Sequence, residues 1–175
     1  MNSQILKYIN INKNPDFMNL KEIVKTVEQT QTFKDFKRQF PKAYLVHIFS
    51  MTKQPLQLGY YDEDSELITT FDVSNGVQKE QSAPFREPDK KAIKALEITQ
   101  VSFALEEAEE IASNIQKEKY PKEMIRETII ILQHLDVAQI FNVTFITHSF
   151  KTLNIKLDAN TKQVLSHDLT NLIGF

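Results

Sequence analysis

Twice in the second half of the chain, apolar residues recur at every second position: Phe141, Val143 and Phe145, then Leu153, Ile155 and Leu157. Side chains on a strand alternate between the faces of a sheet, so each triplet lies on one face. This period is that of antiparallel strands with one buried face, and such a face needs an apolar cover. The preceding residues offer one: Leu105, Ala108, Ile111, Ala112 and Ile115 form a helical stripe, with Ser102 placed to cap its start. Glu106, Glu107, Glu109 and Glu110 come early on the outer face and Lys117 and Lys119 late, the order that the helix dipole favours. Tyr120-Pro121-Lys122 ends this helix. Thr128 to Gln133 reads as a further strand, and Asp158 to Lys162 as a turn into a last strand, Gln163 to Ser166.

The first half follows a similar plan. Tyr8 to Asn12 alternates as a strand, and Pro15 interrupts it. Asn19, three residues before Glu22, is placed as an N-cap for a stripe of Leu20, Ile23, Val24 and Val27. The stripe restarts as Phe33, Phe36 and Phe40, with Thr32 and Asp35 as a second cap, which gives two short helices or one bent one, ended by Pro41. Strands are expected over Ala43 to Met51, Pro55 to Asp62, Leu67 to Ser74 and, after the hairpin signal Asn75-Gly76, over Val77 to Gln81. The pattern predicts an α+β protein of two helix-plus-antiparallel-meander units, each sheet covered by a helix. The units span residues 1–82 and 92–175, with a proline-bearing connector over 83–91; Leu96, Ile98 and Val101 suggest a short strand, with a helical turn running from Asp89 as its rival.

Composition narrows the chemistry. Three glycines and no cysteine among 175 residues exclude glycine-rich phosphate loops as a theme, disulfide scaffolds, cysteine–zinc sites and thiol catalysis. A net charge of −2 gives no general attraction to a polyanion, so no nucleic acid is expected; Lys34, Lys37, Arg38 and Lys42 read as a solvated helix face. No stretch approaches the about 20 apolar residues that span a bilayer. Residues 1–11 show no export signal, which by default predicts a cytoplasmic protein.

The second half, from about Glu97 to Asp168, resembles a PepSY-type domain. Two segments carry the likeness: the helix Leu105-Glu106-Glu107-Ala108-Glu109-Glu110-Ile111-Ala112 and the hairpin Asp158-Ala159-Asn160-Thr161-Lys162-Gln163-Val164-Leu165. That family's hairpin reads aspartate-x-x-threonine-glycine-x-valine-leucine, so Lys162 stands where glycine is usual. A lysine at positive φ there costs about 1 kcal/mol. The first half is similar as a degenerate copy. The resemblance implies a small α+β module without catalytic residues, found in propeptides that restrain secreted peptidases and in extracytoplasmic parts of envelope proteins. It thus also allows a place outside the cytoplasm.

Candidate chemical groups are few. His134 with Asp136 and His167 with Asp168 are the local pairs that could begin a metal site, but His134 and His148 end successive strands and so fall at opposite edges; no metal or other cofactor is expected. Asp62, Glu63, Asp64 and Glu66 form an acidic turn without calcium-loop spacing. Ser149 follows His148 and Ser166 precedes His167, but strand neighbours point to opposite faces, so neither serine meets its histidine as a base. The expectation is a protein without enzymatic activity. Tyr60, Tyr61, Phe85 and Phe175 are the candidate partner-binding residues, Tyr60 and Tyr61 because adjacent strand residues cannot both face the core. The function expected is a binding or regulatory module acting through a sheet surface or edge strand on a protein partner or a second copy, peptidase regulation being what the family would imply. The alternatives are a ligand carrier or enzyme with a pocket in a curved sheet, and a self-assembling structural subunit.

Overall fold

A computed structural model describes residues 19–74, 77–82, 92–136 and 138–172, with the side chains of residues 77–81 left aside. The expected strand over Tyr8 to Asn12, the Asn75-Gly76 turn and the whole connector over 83–91 lie outside these residues.

Two short helices open the described chain, α1 (Leu20–Glu28) and α2 (Gln31–Gln39). The Asn19 side chain accepts from the backbone N–H groups of Lys21 and Glu22, as a cap at that spacing should. The second cap is Thr30, which accepts from Phe33 N–H, and not Thr32; the break between the helices is a single turn, so α2 starts earlier than its apolar stripe. Four strands follow: β1 (Tyr44–Met51), β2 (Gln57–Asp62), β3 (Leu67–Asp72) and β4 (Val77–Ser82). A 3-10 turn (Ile98–Gln100) and α3 (Leu105–Lys119) lead to β5 (Ile125–His134), β6 (Gln139–Thr147), β7 (Lys151–Asp158) and β8 (Val164–Asn171).

All eight strands belong to one antiparallel sheet, ordered β4-β3-β2-β1-β5-β6-β7-β8. This corrects the expectation of a separate sheet for each half. The reason is local: Ile129-Ile130-Ile131-Leu132 is apolar at every position and so suits a central strand with both faces covered by neighbours or side chains. Its partner is β1, with Ile48 opposite Leu132 and Phe49 opposite Ile131.

The three helices share one core with the sheet. Leu20, Val24 and Val27 of α1, Phe33 and Phe36 of α2, and Leu105, Ala108 and Ala112 of α3 join Ile48, Leu58, Phe71, Leu132, Phe141, Phe145, Ile155 and Leu157 in one buried cluster. Under α2 the packing is aromatic: Phe33 lies 4.8 Å from Tyr60 and Phe36 lies 5.1 Å from Phe71, ring centre to ring centre. Over the second meander, Ala108 and Ala112 have no exposed surface, so α3 approaches the sheet closely. Phe141, Val143 and Phe145 and then Leu153, Ile155 and Leu157 are fully buried, as their spacing requires.

The stretch before α3 follows the helical alternative more closely than the strand. Around Leu96 to Val101 the chain makes a 3-10 turn instead of a strand; only Leu96 N–H reaches a strand backbone, donating to Leu45 C=O. This strap is held by Gln139, whose Oε1 accepts from Glu97 N–H and whose Nε2 donates to Glu97 C=O. Ser102 does not cap α3. Its N–H donates to Ala159 C=O and its hydroxyl to Asn160 C=O, tying the helix start to the β7–β8 turn, while Ala104 takes the cap position without a side-chain bond.

Candidate functional site

Among the described residues β8 is one edge of the sheet, paired with β7 alone, from Lys151 opposite Asn171 to Leu157 opposite Val164. It runs to Asn171, five residues beyond its expected end at Ser166, so Leu169 belongs to the strand. The reason is that its alternation is weak: an edge strand has little to bury. Val164 and Leu165 are exposed (38% and 43%), and a bulge lies beside them between Lys156 and Leu157. The turn feeding this edge is well built. The Asp158 carboxylate accepts from Thr161 N–H (2.7 Å) and Asn160 N–H (2.9 Å), which hold it below the ordinary carboxylate range. Lys162 takes φ 64°, the left-handed conformation in which glycine would be unstrained. Its ammonium pairs with Glu107 at the start of α3.

At mid-strand, His167 anchors β8 to the end of α3. Lys119 Nζ lies 3.0 Å from its Nε2 and the Tyr120 hydroxyl 2.7 Å from its Nδ1. An ammonium can only donate, so Nε2 accepts and Nδ1–H donates to Tyr120.

The last turn of β6–β7 and the loop after α3 are linked by a polar network. Lys151 Nζ donates to Glu123 Oε1 at 2.6 Å and Ser149 Oγ donates to the other carboxylate oxygen; together they hold the Glu123 carboxyl below its ordinary range. Glu123 is 8% exposed and Thr147 not at all. Thr147 Oγ1 accepts from Lys151 N–H, and Gln116 Nε2 donates to Glu123 C=O. Ser149 thus meets a carboxylate and not the adjacent His148; the two lie in the β6–β7 turn and not on a strand, so the partner is set by the turn and not by strand alternation.

Tyr60 and Tyr61 do face opposite sides of the sheet, since Tyr60 pairs with Leu45 and Tyr61 with Tyr44, yet both are buried, at 2% and 4%. Tyr60 Oη donates to Glu28 Oε1 at 3.0 Å; burial first, and then that carboxylate, push its phenol above the ordinary range. Phe85 and Phe175 lie outside the described residues. In the acidic turn, Asp62 accepts from Ser65 N–H, Glu63 from Tyr44 Oη, and Asp64 pairs with Lys42 at 3.1 Å. Lys37 donates to Pro41 C=O and Ala43 C=O, and Arg38 pairs with Asp35, so the basic stretch is spent on its own neighbourhood. Among the described residues, no group of three His, Asp or Glu could hold a metal ion. A cleft of about 510 Å³ lies between the starts of α1 and α3, lined by Leu20, Lys21, Ile98, Val101, Phe103 and Glu107, and not within the sheet. Among the described residues, no helix is long and apolar enough to cross a membrane.

Sequence reasoning passed over Glu123, Met124 and Phe150. A usable signal was present at the last of these: a phenylalanine in the polar run His148-Ser149-Phe150-Lys151 has no strand face to fill.

No family model and no curated protein matches the chain. A crystal structure of a protein of Clostridium difficile 630, provisionally classed as a lipoprotein, is similar in fold with a TM-score of 0.48 at 13% identity, over 82% of this chain and 97% of that one.

Proposed function

We propose that this chain is a non-enzymatic binding module that takes an extended segment of a protein partner along β8. The observation that carries this reading is the edge itself: eight residues with a single sheet neighbour among the described residues and with Val164 and Leu165 exposed. Such an edge presents backbone N–H and C=O groups that pair with an added strand, while alternate side chains select it. The PepSY-like relation and the descent of the two halves from one unit belong to the same proposal. They are supported by the order of helix then four strands in both halves, and by a hairpin in which Asp158 and Thr161 close the turn as their spacing suggests.

Panning a random-peptide library on the immobilised protein tests the reading. The expected outcome is enrichment of alternating apolar peptides that shift β8 amide resonances and lose affinity for the V164K/L165K variant. Peptides that shift only residues outside β8 and β7, or that bind this variant as well as the parent, would overturn it.

A further inference from the structure

Three of the large apolar side chains with the most exposed surface gather at one end of the sheet: Met124 (72%), Phe150 (57%) and Leu172 (49%). They come from three separate segments, the loop after α3, the β6–β7 turn and the end of β8. These segments are bonded into one body. His148 N–H donates to Met124 C=O at 2.9 Å, and Leu172 N–H donates to Phe150 C=O at 2.9 Å. The Glu123–Lys151–Ser149 network adds side-chain ties between the first loop and the turn. Phe150 also holds φ 58°, a conformation unfavourable for a bulky side chain. A well-braced aromatic that buries little of itself contributes little to the fold and is available for an outside contact.

The surrounding charge indicates what kind. Residues 117–126 carry Lys117, Lys119, Lys122 and Arg126 against Glu118 and Glu123, in a chain whose net charge is −2. Glu123 is taken up by Lys151, whereas the exposed Lys122 and Arg126 form no salt bridge among the described residues. Glu127 is the next anion along the strand. Exposed apolar side chains at one end of the sheet, with two exposed cations two residues either side of Met124, suit a surface that accepts them without matching shape. A lipid interface does so, and anionic headgroups attract the cations.

We propose that this end of the sheet, through Met124, Phe150 and Leu172 with Lys122 and Arg126, docks on an anionic lipid surface. The site is remote in kind from the β8 edge, and either can fail without the other. Co-sedimentation of the full chain with vesicles of phosphatidylcholine, and of phosphatidylcholine mixed with phosphatidylglycerol, tests it. Binding is expected to the mixed vesicles, to weaken with added salt, and to fall about tenfold in F150S and again in K122E/R126E. F150G relieves the backbone strain, so it should unfold no more readily than the parent and still lose vesicle binding, which separates lost contact from lost fold. Absence of binding to the mixed vesicles, or equal binding by F150S, F150G and the parent, would overturn the proposal. So would a concentration-dependent dimer that F150S abolishes in the absence of lipid, which would assign the patch to a second copy.

Discussion

With three glycines in the chain, left-handed backbone falls to residues poorly suited to it: Lys53, Glu66, Phe150 and Lys162 all have positive φ, each in a turn between strands. At Lys162 the strain is opposed by the pairing with Glu107 and by the ammonium lying 5.5 Å from the centre of the Phe103 ring, each of small value at an exposed site. Lys162→Gly should therefore raise stability by less than about 1 kcal/mol, read as a slightly higher urea midpoint at unchanged slope. Gly59 is the opposite case. The His47 ring lies against it across the β1–β2 pair, and an added Cβ would overlap that ring, reaching within 2.7 Å of Nδ1 and closer still to Cε1 and Nε2. Gly59→Ala should cost about 1–3 kcal/mol, and much less in a His47→Ala background, so a double-mutant cycle should show strong coupling. Burial also lowers the proton affinity of His47 below its ordinary value of 6.5. The unfolded chain then binds this proton first as pH falls, so the stability present above pH 6.5 declines below it until the folded histidine also protonates. Chemical denaturation between pH 7.5 and about 5 should show that decline, with a shallower slope in His47→Gln.

At the scale of elements, the alternating strands and the helix stripes were legible because burial imposes its period directly on the residues. Phe141 to Phe145 and Leu153 to Leu157 bury as their spacing requires. Where local pattern misled, a distant partner had claimed the group. Ser102 spends its hydroxyl on the Asn160 carbonyl 58 residues away, and Leu96 is drawn to β1, so neither the helix cap nor the short strand forms. β8 was cut short because its outer side has nothing to bury. The closeness of α3 to the sheet was marked by small residues, Ala108 and Ala112. Ala112→Leu should force them apart at a cost of about 1–3 kcal/mol, seen as a lower melting temperature.

For the whole molecule, the decisive contact is β1 against β5. It merges two meanders into one eight-stranded sheet and one core, in which Ile48 and Leu132 face each other fully buried. A shared core predicts shared unfolding: near-ultraviolet absorbance and far-ultraviolet circular dichroism should report coincident urea transitions, and two separated transitions would show that the meanders melt independently.

By itself the sequence determined the α+β class, most of the strands, the helix stripes and the Asn19 cap, because these follow from local periodicity and short-range hydrogen bonding. Tertiary structure alone decided that the halves share one sheet, that both Tyr60 and Tyr61 are buried, and that Met124, Phe150 and Leu172 meet at one end. Those outcomes depend on residues far apart in the chain, whose proximity is set by strand order and packing, and no local pattern encodes it.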